Sequence, residues 1–358
     1  MILNFYVIRK FIATFLFTLV ALSLLFVIID LFERLDSFID RGVTLEQATM
    51  YYLTYLPFIL KLLIPVGTLL AALFSVGRLA TFNEITAMRA AGQSFTRFIA
   101  PYIVITALIS GGQVWFNGWV VPAATSANMD MQRQVLNEAF GESLFNLYFR
   151  ESPTRNVVIE YYDREKKEAR NVAIEEYGSE TKPRMQWRID APTMQWDSVA
   201  NVWASDFATV RTFRGDSVWM TDVTDTTMPF SIRHDQIVSL QREPDELTFE
   251  ELKDYITTLK AGGKDTRRQE IDYFAGWAFP FSNVIIVLIA VPFAAVRRRG
   301  GIAVNIAAAM ILAFGYIAFT EVSKAIGAIT ELTPDIIGWG ANAVFLFIAF
   351  VNMLFVRK

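Results

Sequence analysis

The stretch 98-FIAPYIVITALISGGQVWFNGWVVPAATSANM-129 holds no charged side chain, and at Asp130 the character of the chain changes. A helix needs about 20 apolar residues to cross about 30 Å of hydrocarbon, and this run exceeds that length. Beyond it the sequence is polar to residue 271, then turns apolar again at Tyr273. Working outward, comparable runs occupy Phe11–Ile29, Leu62–Gly77 (extended backwards by Tyr51–Lys61), Tyr273–Val296, Gly300–Thr320 and Ile336–Val356. The fold class they predict is an α-helical membrane protein with six transmembrane helices and an all-β domain inserted between the third and fourth. The expected divisions are 1–129 for the first three spans, 130–244 for the β domain, 245–271 for a linker helix and 272–358 for the last three spans.

The distribution of Lys and Arg orients the spans. With the N-terminus inside, the inner segments hold Arg9, Lys10, Arg78, Arg89, Arg97, Arg297, Arg298, Arg299, Arg357 and Lys358 against one acid, Glu84. The short outer segments hold Arg34, Arg41 and Lys324 against Asp30, Glu33, Asp36, Asp40, Glu46, Glu321, Glu331 and Asp335. Both termini are therefore expected in the cytoplasm and the insert outside it, in a multi-pass inner-membrane protein. The first span follows Arg9-Lys10 without a small-residue cleavage site, so it reads as a retained span.

The net charge of −3 gives no reason to expect nucleic acid as a partner. With no cysteine, thiolate catalysis and most zinc sites are excluded, and an exported domain must rely on its own core. Nucleotide-binding GxxxxGK[ST], HExxH and GxSxG motifs are all missing. The single histidine, His234, reads as a surface residue. No catalytic residue, metal site or cofactor is expected.

The insert alternates apolar and polar residues in short runs: Asn156–Tyr162, Asn171–Tyr177, Met185–Ile189, Val202–Ala204, Phe207–Phe213 and Val218–Met220. Such runs predict strands of a sandwich or open barrel, with Asp163–Arg170 as an exposed hairpin tip. The dry face is either an ordinary core or a groove for an acyl chain. Thr248 and Glu251 make a capping box for a helix whose Phe249, Leu252, Tyr255, Ile256 and Leu259 share a face, ended by Gly262-Gly263.

Inside, 78-RLATFNEITAMRAAG-92 predicts a short helix over 81–92, with a capping box from Thr81 to Glu84 and a stop at Gly92. Phe82, Ile85 and Met88 form an apolar stripe flanked by Glu84 and Arg89. Two accounts are open: a helix packed on the ends of its own spans, or a rigid knob gripped by a cytoplasmic motor subunit. For Lys61, the 17 positions to Arg78 make about 25 Å of helix, which sets it near the outer headgroups. It either snorkels there or meets an anionic lipid headgroup with Arg34, Arg41, Arg133 and Lys324 as neighbours. A local ion pair with Glu321 is the alternative for Lys324. Pro57, Pro65, Pro101, Pro122, Pro280 and Pro292 lie in or beside spans and either kink supported helices or let an opening flex.

The order of spans and insert, the segment Glu84-Ile-Thr-Ala-Met88-Arg-Ala90-Ala-Gly92, the run Pro244-Asp-Glu-Leu-Thr-Phe-Glu-Glu-Leu-Lys-Asp-Tyr255, and the acidic end of span one at Asp30–Asp36 together resemble the LptF/LptG lipopolysaccharide export permeases. The span-one exit leans to the LptG branch. The resemblance covers essentially the whole chain. It implies a non-catalytic permease subunit of an ABC transporter that takes lipopolysaccharide from the outer leaflet of the inner membrane towards a periplasmic bridge. Implied partners are an LptB-like cytoplasmic ATPase in two copies, a paralogous permease or second copy of this chain, an LptC-like bridge protein, and lipopolysaccharide among the membrane lipids. It implies that Glu84 meets a basic residue of the ATPase, with Phe82, Ile85, Met88 and Arg89 around it, and that the β domain is jellyroll-like. Lys61 lies on no family motif; its assignment comes from depth alone. Exposing lipid costs about 0.8 kcal/mol per CH₂, so extraction needs a motor this chain lacks. The competing expectation is an ATPase-coupled scaffold that moves its outer domain without passing lipid.

Overall fold

Thr44 opens the second span by a reciprocal cap with Gln47, Thr248 opens the linker helix in the same way with Glu251, and Ser94 caps the third span. These local signals, and the apolar runs between them, set the helix boundaries. The computed structural model describes residues 2–135, 143–164, 166–178, 184–215, 217–239, 242–295 and 301–356. In chain order it contains α1 (Ile2–Asp40), α2 (Leu45–Thr81), α3 (Glu84–Ala90), α4 (Phe95–Trp115), a π turn at Phe116–Val120 and α5 (Val121–Val135). Strands follow: β1 (Ser143–Ser152), β2 (Arg155–Asp163), β3 (Glu168–Tyr177), β4 (Met185–Asp197), β5 (Val202–Arg214) and β6 (Ser217–Thr227). Helices close the chain: α6 (His234–Ser239), α7 (Phe249–Ala261), α8 (Arg267–Ala278), a 3-10 turn at Phe279–Phe281, α9 (Ser282–Ala295), α10 (Gly301–Gly327) and α11 (Pro334–Val356). They form two compact units, Met1–Asn128 with Arg267–Lys358, and Met129–Thr266.

In the first unit, five helical stretches among the described residues are long and apolar enough to cross a membrane: Leu3–Asp40, Leu45–Thr81, Phe95–Gln132, Arg267–Ala295 and Pro334–Leu354. The expected fifth span falls on α10, where many side chains lie outside the described residues, as do Arg297–Arg299. The helix α1 outruns its apolar run. Asp30–Asp40 is helical, held by the Arg34–Asp30 pair at 3.1 Å, and the first break is Gly42 at φ +65°. The expected outer loop is thus mostly helix, because nothing before Gly42 breaks it.

Lipid tails are as apolar as leucine, so spans associate through close packing rather than dehydration. Accordingly α2 presents Thr68, Ala71, Ala72 and Ser75, all buried, and packs on α9 with its Val287, Ala290 and Ala294. Phe11, Leu69, Leu73, Ile99 and Tyr102 fill the centre. Where α11 meets α8 the approach is closest at Gly338: a Cβ there would stand 2.6 Å from the Phe274 Cβ and 2.8 Å from the Ala275 nitrogen. Backbone cannot step aside as a flexible side chain does. Gly338→Val is expected to cost about 1–3 kcal/mol through overpacking, read as a lowered unfolding temperature in detergent.

In the second unit the β strands pair in sequence order as one six-stranded antiparallel sheet. The all-β insert is present, as a meander rather than a two-sheet sandwich. The hairpin tip is tighter than its charge suggested, since β2 and β3 are joined across Asp163↔Glu168 with Lys167 at φ +51°. One face carries Leu147, Phe149, Val157, Ile159, Ile174, Met194 and Trp203, and the chain's own Met228, Phe230, Ile232 and Ile237 cover it. Trp203 Nε1 donates to the Ile232 carbonyl at 2.8 Å, fixing that cover. Of the two readings of the dry face, the ordinary core is therefore the one observed. The opposite face lines a cleft of about 640 Å³ and is charged: Arg188 pairs with Glu175 at 2.9 Å and Asp190 at 2.8 Å, and Arg211 reaches Asp190 at 3.4 Å.

His234 begins α6, with Nδ1 against the hydroxyl of the fully buried Tyr162. Burial first, and then the Lys167 and Arg164 charges against a weaker opposing Asp235, push its pKa below 6.5. The unfolded chain therefore binds more protons than the folded one as pH falls through 6.5, and stability drops there. Thermal unfolding of the full chain is expected to lose stability between about pH 7 and pH 5, and His234→Gln to remove part of that loss. Identical pH profiles would exclude His234 as a contributor.

Candidate functional site

The segment expected to be a capped helix over 81–92 is built differently. The helix α2 runs through Thr81, whose hydroxyl donates to the Gly77 carbonyl of its own helix at 2.9 Å, so Thr81 caps nothing. Phe82 ends α2, Asn83 turns the chain at φ +59°, and α3 starts at Glu84. A T-x-x-E spacing makes a capping box only where the threonine stands outside a helix; here the preceding span continues past it. The stop is as expected: Gly92 lies at φ +84°, with Gly92 N–H on the Arg89 carbonyl and Gln93 N–H on the Met88 carbonyl.

Nor is the apolar stripe a single outward face. Ile85 is buried and Met88 packs beside it on the core of the first unit, whereas Phe82 is 63% exposed under the Arg78 guanidinium at 5.8 Å. What α3 and its hinge present to solvent is Phe82, Thr86, Ala87 and Arg89. Ile85 and Met88 anchor the knob from behind. Glu84 is held from the side by α1: Tyr6 donates its hydroxyl to Oε2 at 3.0 Å, and Lys10 Nζ is 3.4 Å from Oε1 and 4.2 Å above the Tyr6 ring. The sequence carried a signal for this contact, the single acid among the basic inner segments, but span packing was needed to choose its partner.

A second constellation lies at the far end of α2. Tyr51, Tyr55 and Phe58 recur every three or four residues, so they share a face. Their rings stack at 5.6 and 5.9 Å. Arg34 stands over Tyr51 at 5.5 Å and Lys61 over Phe58 at 6.0 Å, one cation at each end of the stack. Asp30 orients the first of them: its Oδ1 takes Arg34 Nε and its Oδ2 accepts from the Tyr52 hydroxyl at 3.2 Å. The structure thus joins Arg34 and Lys61 through aromatic rings, a link their sequence separation hides.

The other expected headgroup contacts stand apart from this ladder. Arg41 sits in the turn between α1 and α2. Arg133 is in α5, and its side chain is outside the described residues. Lys324 is claimed by Glu321, as the three-residue spacing suggested, and also by Asp272 of α8, each at 3.2 Å.

A profile of the LptF/LptG lipopolysaccharide export system permeases matches residues 5–356. The chain belongs to the LptF/LptG family. Two curated relatives, the lipopolysaccharide export system permease proteins LptG of Escherichia coli strain K12 and of strain CFT073, are each 24% identical over 362 residues. The alignments cover 94% of this chain and 93% of the relative. The helical membrane unit with its β insert is that of an LptF/LptG permease, and the chain is a permease subunit of lipopolysaccharide export in the inner membrane. That role fits a sequence without a nucleotide-binding motif.

Proposed function

We propose that this LptF/LptG permease extracts lipopolysaccharide from the outer leaflet of the inner membrane. It is driven by a separate LptB-like ATPase that grips α3 from the cytoplasm. The observation that carries this reading is the shape of the coupling segment. A seven-residue helix is anchored by Ile85 and Met88 and leaves Phe82, Glu84 and Arg89 around its solvent side. Both termini are placed in the cytoplasm by the Lys/Arg bias. That puts the β unit in the periplasm and the aromatic ladder near the outer headgroups. There Arg34 and Lys61 are suited to a phosphorylated lipid head, with Arg41 and Arg133 as outlying cations. Lys324, already between two carboxylates, is the weakest of the five.

The chain works beside a paralogous permease or a second copy of itself, and passes lipid to an LptC-like bridge protein. The edge strand β6 suits that handover: Val218, Trp219 and Met220 are all more than half exposed on an unpaired edge, which is a template for a further strand.

Purification of the chain with its paralogue is expected to bring down a cytoplasmic ATPase and tightly held lipopolysaccharide. Recovery of the ATPase without lipopolysaccharide, in detergent that retains other lipids, would favour a scaffold that moves its periplasmic unit and passes no lipid.

A further inference from the structure

Three consecutive spans of the first unit lose regular α-helix at one level, and side chains from neighbouring spans take up the freed groups. Pro65 has no N–H, so the Lys61 carbonyl of α2 lacks its partner one turn on. Gln113 of α4, 2% exposed, donates its Nε2 to that carbonyl at 3.0 Å. Directly after Gln113 the third span passes through the π turn Phe116–Val120. In the fourth span the 3-10 turn Phe279–Phe281 separates α8 from α9. The Ala278 carbonyl there is taken by Asn342 Nδ2 at 2.6 Å, and the Pro280 carbonyl by the Ser110 hydroxyl at 2.8 Å and Asn283 Nδ2 at 2.7 Å. Asn283 Nδ2 also reaches Gln113 Oε1 at 2.7 Å, which closes a chain of contacts from α2 through α4 to the break before α9.

Within hydrocarbon, an unpaired carbonyl or amide is costly, so a broken helix persists only where neighbours satisfy it. This layer satisfies most of its groups but not all. Asn117, in the π turn and 6% exposed, has neither amide atom hydrogen-bonded, and Asn283 Oδ1 lacks a partner as well. π turns and proline breaks are where helices bend, and buried polar groups left open in one arrangement favour a second arrangement that pairs them.

We infer that this layer is a hinge at which spans two, three and four bend together during transport, with Gln113 as the positioning residue that holds it. The inference rests on the permease reading for what the bending accomplishes, and on geometry alone for the brace. The hinge lies just beneath the aromatic ladder, so bending there moves Tyr51, Tyr55 and Phe58 relative to the Arg78 end of α2.

The test is a double-mutant cycle in the full chain, purified with its partner subunits. Gln113→Met keeps the shape and removes the donor, and is expected to lower the unfolding temperature by several degrees. Pro65→Ala restores the N–H to which the Lys61 carbonyl bonds, so in that background Gln113→Met is expected to cost much less. Pro65→Ala and the double variant should assemble and hydrolyse ATP yet lose most lipopolysaccharide release. An equal cost of Gln113→Met in both backgrounds would overturn the brace. Wild-type lipopolysaccharide release by the stable double variant would overturn the hinge. Failure of the permease reading would show itself separately, as no release by the wild-type complex. The absence of cysteine in the chain permits spin-label pairs on either side of the layer without background. Independent distance changes on the two sides are expected between nucleotide states; strictly proportional changes would indicate rigid tilting and no hinge.

Discussion

Glu84→Arg is expected to abolish assembly with the cytoplasmic ATPase while the chain still folds. The two halves of that result rest on different magnitudes. Within the chain, Glu84 makes a half-exposed pair with Lys10, the two side chains being 30% and 28% exposed. Such pairs contribute at most about 1 kcal/mol. At an interface, breaking a buried charge pair costs about 2–5 kcal/mol, which is roughly 30-fold or more in assembly. Reversal adds repulsion against the same basic partner. Lys10→Met and Tyr6→Phe are the controls: they free Glu84 from α1 but keep its charge, and assembly should survive both. Co-purified ATPase at the wild-type level in Glu84→Arg would leave Glu84 with only its tether to span one.

The second large effect belongs to the ladder. Charge reversal at both ends, Arg34→Glu with Lys61→Glu, is expected to strip lipopolysaccharide from the purified complex. Contacts to a charged group contribute about 1.5–3 kcal/mol each, so losing two lowers retention on the order of 100-fold. Arg34 is already shared with Asp30, so Lys61→Glu alone should account for the larger part. Lys61→Arg should retain lipid, since a guanidinium keeps both the charge and the position over Phe58. Retention unchanged in the double reversal would return Lys61 to snorkelling.

Much of this architecture is legible in the sequence because hydrocarbon imposes a minimum run length and strands impose a period of two. The spans and the β insert follow from those two constraints. The strand order does not, since alternation marks a dry face without saying what covers it. Here Met228–Ile237 supplies the cover, from a stretch with no period of its own. Capping boxes show the limit of local reading most directly. Thr248 and Glu251 form one; Thr81 and Glu84 share the spacing and do not, because α2 overruns Thr81. The prolines are visible as breaks in the ladder of backbone bonds. Gln113, Asn283 and Asn342 are visible only as polar residues in apolar runs, and which carbonyl each serves depends on which spans are neighbours. The same holds for Tyr6 and Lys10 beside Glu84. At the ladder, the spacing of Tyr51, Tyr55 and Phe58 predicts one face, but Arg34 joins it only through the packing of α1 on α2.

The central claim is that lipopolysaccharide passes along this chain's own spans, and a photocrosslinker at Phe58 tests it most directly. Placed in the working complex, it should capture lipopolysaccharide, with the adduct diminishing when ATP is supplied and the lipid moves on. No lipopolysaccharide adduct at Phe58 in a complex that still exports the lipid would contradict the account.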